Sequence, residues 1–173
     1  MADELEHEIE PETTEQTPAP EGSVLATLRE RRERVQAALV KDLAVPRYDP
    51  PIYVRYKPLP SRRLNAANKQ AAASSDKDAE VIANAGILAE VCVGVFEVVN
   101  GREVSIDPES RDGELLRFAD RRLAELLGVK AGKASEVVRA LYATDGDIIS
   151  TVNDLGVWSG FAREQLERDS EGN

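Results

Sequence analysis

The stretch VIANAGILAEVCVGVF, residues 81–96, is the most apolar part of the sequence. Its apolar side chains recur at steps of three and four residues, the spacing that places them on one side of a helix. They are Val81, Ile82, Ala85, Leu88, Ala89, Cys92, Val95 and Phe96. A helix that is apolar over most of its circumference belongs in a core. The stretch therefore predicts one long, buried central helix that gives way near Phe96.

A hairpin is predicted directly after this helix. Residues 96–99 and 103–106 are rich in β-forming side chains, and Asn100-Gly101 lies between them. Asn-Gly between two such runs is typical of a type I′ turn, in which both central residues have positive φ. Leu115, Leu116 and Phe118 predict a further extended segment.

Upstream of residue 81, the sequence predicts two helices and a strand. Ser23 is a candidate cap for an amphipathic helix that runs to about Asp42, with a solvated block of arginines and glutamates at residues 29–34. Prolines surround residues 52–57, IYVRYK, which predict a short strand at a sheet edge. Residues 62–73 predict an alanine-based helix capped by Ser61.

Three shorter helices are predicted downstream. Asp120 begins one that Gly128 closes, Ser135 opens a second through about Tyr142, and Thr144-x-x-Asp147 is typical of a capping box for a third. The predicted fold class is therefore α+β and helix-rich. It has one long buried central helix, a small antiparallel sheet or hairpin, and a C-terminal helical part.

The net charge of −10 is concentrated at the N-terminus. Residues 1–22 contain eight acidic residues and no Lys or Arg, whereas the other 151 residues together carry only −2. With almost nothing apolar to bury, residues 1–22 are predicted to be a disordered acidic tail. A single helix-rich domain is predicted for residues 23–168, and a frayed C-terminus for residues 169–173.

The sequence offers few groups for catalysis. The only histidine, His7, is in the acidic tail, and the only cysteine, Cys92, is in the apolar stripe, where a buried side chain is the better interpretation. Asp145-Gly146-Asp147 lacks the further oxygen ligands of a calcium loop. We therefore predict a protein that is not an enzyme, with no catalytic, metal-binding or cofactor-binding residues. No apolar run approaches the length that spans a bilayer, so no membrane partner is predicted.

The order of these features resembles the tail assembly chaperones of long-tailed bacteriophages, especially phages of actinobacteria. The similar parts are YVRYKPL at residues 53–59, the alanine-rich helix, LAEVCVGVF at 88–96, the passage from RFAD at 117–120 to Leu127-Gly128, and the closing segment from Ile148 to WSG at 158–160. The resemblance covers roughly residues 45–165. It implies a protein of the host cell cytoplasm that binds the tape measure protein, keeps it soluble and assists tail tube polymerisation. It also implies absence from the mature virion.

The resemblance suggests a role for the segment that follows Ile52. Candidate partner-binding residues are Tyr53, Tyr56 and Leu59 as apolar anchors, with Arg55, Lys57, Arg62, Arg63 and Lys69 as a rim that attracts acidic groups. Alternatively, the tyrosines close the domain's own core and the cations are solvated. The partners implied are the tape measure protein and the major tail tube protein, with self-association left open. The other function considered is an accessory nucleic-acid-binding protein that uses the basic segment 55–69.

Many such chaperones are made in two lengths by a ribosomal frameshift near the end of the shorter reading frame. The terminal Glu171-Gly172-Asn173 permits the slippery heptamer G-GGA-AAC without requiring it. The resemblance therefore leads us to expect a minor, longer form.

Overall fold

The computed structural model describes residues 24–110, 112–130 and 132–161. Within those residues the order is α1 (Val24–Ala38), β1 (Lys41–Ala44), β2 (Ile52–Tyr56), α2 (Ser61–Ala73), α3 (Ala79–Val91), β3 (Cys92–Val99), β4 (Arg102–Ser105), α4 (Arg121–Leu126), α5 (Ala134–Leu141) and α6 (Asp145–Trp158). The predicted helix-rich α+β class is confirmed. The predicted tail, the predicted frayed end and both predicted limits of the domain, residues 23 and 168, lie outside the described residues.

The four strands form one antiparallel sheet in the order β1-β2-β3-β4. The predicted hairpin between β3 and β4 is confirmed, since Asn100 has a φ of 52° and Gly101 a φ of 73°. The prediction that residues 52–57 form an edge strand is wrong, because β2 lies between β1 and β3. The prolines flank β2 and none lies within it, so every residue of the strand keeps its backbone donor for pairing.

The first predicted helix is shorter than expected. Helix α1 ends at Ala38, and β1 begins at Lys41, before the predicted end of the helix at about Asp42. Each residue of β1 is paired with one of β2, and Asp42 pairs with Arg55. This pairing overrides a weak local helix pattern. The chain divides into two compact units after Ala38, so α1 is described by itself: it carries an exposed ion pair between Glu30 and Arg34.

The prediction of one long buried helix that extends to about Phe96 is also wrong. Helix α3 ends at Val91, and the chain passes without a loop into β3, so Cys92, Val95 and Phe96 lie on a strand. A short apolar run fits a helical and a strand period alike, and the density of valine after Glu90 favours the strand. Within the helical part, Ala85 and Leu88 are fully buried as predicted, whereas Ile82, predicted to lie in the same apolar stripe, is 41% exposed.

The core lies between one face of the sheet and the helices. Helix α3 packs against α2, α5 and α6. Val54 and Tyr56 of β2 reach this core, and Leu88, Val138 and Leu155 are buried from the helical side. Side chains alternate along a strand, so Tyr53 and Arg55 lie on the other face of the sheet.

The connections to the C-terminal helices agree in part with the predictions. The Thr144 hydroxyl accepts a hydrogen bond from the backbone N–H of Asp147 at 3.2 Å, which confirms that cap. Gly128 has a φ of 70° and ends the short helix α4. Asp120 precedes α4 as predicted, but its carboxylate makes no capping bond to the helix and accepts from the backbone N–H of Arg117. Leu116 forms an isolated bridge with Val95 and no strand.

Candidate partner-binding surface

Two of the three predicted anchors belong to the core. Tyr56 is fully buried, and its hydroxyl lies 2.8 Å from the hydroxyl of Tyr142. Burial raises the pKa of Tyr56 well above its ordinary value and also raises the pKa of Tyr142, so both phenols stay protonated at neutral pH. Leu59 is 5% exposed. Neither Tyr56 nor Leu59 can contact a partner in this conformation. Burial of Tyr56 agrees with the alternative interpretation, in which the tyrosines close the domain's own core.

Tyr53 and Arg55 lie on the opposite face of the sheet, where they contact other residues of this chain. The ring of Tyr53 stacks on Phe96 with centroids 5.7 Å apart. The Arg55 guanidinium bonds to Asp42 at 2.7 and 2.9 Å and to Glu103 at 2.7 Å, and it lies 5.0 Å from the Phe96 ring. These hydrogen bonds, the one to Asp42 most and the one to Glu103 next, raise the pKa of Arg55. Arg55 thus links β1, β2 and β4 and is not a free rim cation.

The remaining predicted rim residues are exposed. Lys57 follows β2, whereas Arg62, Arg63 and Lys69 lie on α2. Arg63 donates to the Glu90 carboxylate of α3 at 2.8 Å, and its side chain is 62% exposed. The structure therefore divides the predicted site into three parts: a buried core pair, an ion-paired sheet face and a cationic side of α2.

Beside that cationic side, α2 and α3 enclose an open groove with a volume of about 380 Å³. Its walls consist largely of small side chains. The lining residues are Arg63, Ala66, Ala67, Gln70, Ala71 and Ser74 from α2 and its end, and Asp76, Ala79, Ile82, Ala83, Gly86 and Ile87 from α3 and the turn before it. Apart from its chain neighbours and the backbone of its own helix, a Cβ added at Gly86 would meet no atom within 4 Å, so this wall is open.

The two sides of the groove differ in charge. Helix α2 carries Arg62, Arg63 and Lys69 and has no acidic residue. Helix α3 has no charged residue between Glu80 and Glu90, and its Ile82 is 41% exposed. The α2–α3 groove is thus walled mainly by Ala, Gly and Ile side chains, with Gln70, Ser74 and Asp76 as polar lining residues. Arg63 is its lining cation, whereas Arg62 and Lys69 lie outside the lining on α2. Its lining was not predicted from the sequence, although small residues at steps of three and four in both helices are the signal that could have shown it.

The single cysteine, Cys92, is buried at the start of β3. Burial raises the pKa of the Cys92 thiol to about 11, so it is protonated and a poor nucleophile at neutral pH.

Within residues 24–110, 112–130 and 132–161, no cluster of three or more His, Cys, Asp or Glu side chains is arranged to hold a metal ion. No helix in the same part of the chain is long and apolar enough to cross a membrane.

No family model, no curated protein and no solved structure matches this chain.

Proposed function

We propose that this protein is a tail assembly chaperone of a long-tailed bacteriophage. It acts in the host cytoplasm, binds the tape measure protein, keeps it soluble and assists polymerisation of the tail tube around it. It has no catalytic step and is absent from the mature virion. The resemblance over residues 45–165 supplies the identity of the partner.

One structural observation supports a protein-binding role: the α2–α3 groove leaves apolar side chains open to a partner. A long helical protein exposes apolar stripes until it is assembled, and an apolar groove with a polar border is suited to covering such a stripe. Helix α2 is the alanine-rich helix of the resemblance, so the groove lies within the region that suggested the function.

Nucleic-acid binding receives no comparable support. In the basic segment 55–69, Arg55 and Arg63 are paired with carboxylates, and Tyr56 is buried. Stacking on bases requires accessible aromatic rings. The proposal is therefore restricted to a protein partner.

Co-expression tests the proposal directly. The probe is the tape measure protein encoded beside this gene, recognised as a very long helical reading frame. We expect it to aggregate when expressed alone, to remain soluble with this protein and to co-purify with it. If its solubility is the same with and without this protein and the two do not co-purify, the proposed function is wrong.

The expected longer form has a separate test. A slippery heptamer at the codons of Gly172 and Asn173 should yield a minor product with the same N-terminus, detectable by intact-mass measurement after expression of the native locus. If only the 173-residue chain is made, the expectation of two forms is wrong.

A further inference from the structure

We propose that the α2–α3 groove binds one amphipathic helix of a partner protein, with small or apolar side chains inward and carboxylates along the edge that lies beside α2. The identity of the partner as the tape measure protein rests on the proposed function. The chemistry of the helix follows from the groove itself.

The dimensions of the groove suit a single helix. Helices α2 and α3 each have 13 residues, and at 1.5 Å per residue each wall is about 20 Å long. A partner helix of about 14 residues would cover that length. Alanine and glycine walls let a neighbouring helix approach closely, because the interaxial distance depends on the side chains at the contact.

Charge specifies the edge of the partner helix. Arg62 and Lys69 are seven residues apart, two helical turns, so they lie along the same side of α2. Neither lines the groove, but they lie four residues before and three residues after the lining residue Ala66, on the same side of α2 as that residue. Both are exposed, and α2 offers no acidic residue to neutralise them. Arg63 lies at one end of the groove, where Glu90 already neutralises it. A helix with carboxylates two turns apart would therefore complement Arg62 and Lys69.

Binding at the groove alone should be weak. Stable complexes bury about 800 Å² on each partner, more than two short walls around a single helix provide. Exposed ion pairs add little and are screened by salt. Weak contacts repeated along a long helical chain allow many copies to bind and later to leave, which suits a chaperone.

Two synthetic peptides test the chemistry of the site. Each has about 20 residues, enough to be helical, with the same alanine and leucine face. One carries glutamate along the edge beside that face, and the other carries lysine at the same positions. We expect the full-length protein to bind the glutamate peptide more tightly in a fluorescence-anisotropy titration, and the difference to shrink with added salt. Equal binding of both peptides would overturn the proposal.

Variants locate the site. Gly86→Gln should fill the groove and weaken binding of the glutamate peptide by about tenfold or more, whereas Gly86→Ala adds one methyl group and should bind nearly as wild type does. Lys69→Glu should weaken binding by about two- to fivefold, the range of an exposed ion pair. Lys130→Glu makes the same charge change at an exposed position outside the groove and should have no effect. Unchanged binding by both Gly86→Gln and Lys69→Glu, with melting temperatures near that of wild type, would overturn the assignment.

The failure of this inference is distinguishable from failure of the proposed function. If the tape measure protein co-purifies equally with wild type and with Gly86→Gln, the groove is not its site, although the function stands. If the glutamate peptide binds at the groove and the tape measure protein does not bind at all, the site stands and the function falls. A concentration-dependent dimer that Gly86→Gln abolishes would show that a second copy fills the groove, and would overturn the proposal.

Discussion

At the scale of single residues, Gly94 has the least room for a side chain. A Cβ at this position would lie 2.5 Å from the Cβ of Leu115, closer than real Cβ contacts allow. Gly94→Ala must therefore displace Leu115, and we expect it to lower the free energy of unfolding by about 1–3 kcal/mol, the range of overpacking. Urea denaturation measures this.

The same glycine-to-alanine substitution should have the opposite effect on the free energy of unfolding at Gly86. Its helical position leaves space for a Cβ, and glycine costs a helix about 0.5–1 kcal/mol relative to alanine. Gly86→Ala should therefore raise the free energy of unfolding. If Gly94→Ala is neutral while Gly86→Ala is stabilising, then Leu115 moves away from Gly94 without cost.

At the scale of elements, the direct passage from α3 to β3 separates what could and could not be predicted. Helix α2, the hairpin turn and the cap at Thr144 depend on local chemistry, and each was predicted. The predicted Ser61 cap of α2 is wrong, because Ser61 is the first helical residue and Pro60 precedes it without a capping bond. The end of α3 depends on the pairing of β3 with β2, which is distant in sequence, and the valines after Glu90 are only a weak local sign of it. β1 exists because it pairs with β2 across residues 45–51, and its own four residues carry no strand pattern. The central position of β2 is of the same kind.

The buried face of α3 can be tested by truncation. Leu88 is fully buried among the helices and the sheet, so Leu88→Ala should lower the free energy of unfolding by about 2–5 kcal/mol. Ile82→Ala, on the exposed side of the same helix, is the matched control and should cost less than about 1 kcal/mol. Similar losses for the two variants in urea denaturation would mean that this face assignment is wrong.

At the scale of the whole molecule, the candidate site was predicted only in part. The sequence indicated a cluster of aromatic and basic residues, and one of its exposed cations on α2, Arg63, lines the groove. It could not show that Tyr56 points into the core, because alternation along a strand reveals two faces without telling which one is covered. Ile82 on the α3 wall was predicted to be in the core, because helical spacing groups apolar residues on one side without showing which of them a neighbouring element covers.

Two ion pairs between distant parts of the chain predict acid sensitivity. The Arg47 guanidinium bonds to Asp147 at 2.9 Å and lowers the pKa of that carboxyl below its ordinary 3.8. Arg122 does the same for Asp107. A lowered carboxyl pKa stabilises the fold above the ordinary value, and the stabilisation is lost as pH falls through the folded pKa. The urea midpoint should therefore begin to fall as pH approaches 3.8 and should continue to fall below it, as pH passes through the lowered folded pKa values.

Removal of the two carboxylates provides the control. The double variant Asp107→Asn, Asp147→Asn should be less stable than wild type at neutral pH and should lose less stability on acidification. An acid-induced loss identical to that of wild type would place the sensitivity in other carboxyl groups.

The thiol of Cys92, at the junction between α3 and β3, can serve as a probe of how fast that junction opens. The sequence contains one thiol, and the structure buries it where α3 becomes β3. Thiol reagents attack only an accessible thiolate, so each labelling event requires the junction to open. The rate of modification, followed by mass spectrometry without any engineered cysteine, therefore measures how often the junction opens. A partner seated against α3 should make them rarer, so the rate also reports occupancy of the neighbouring helix.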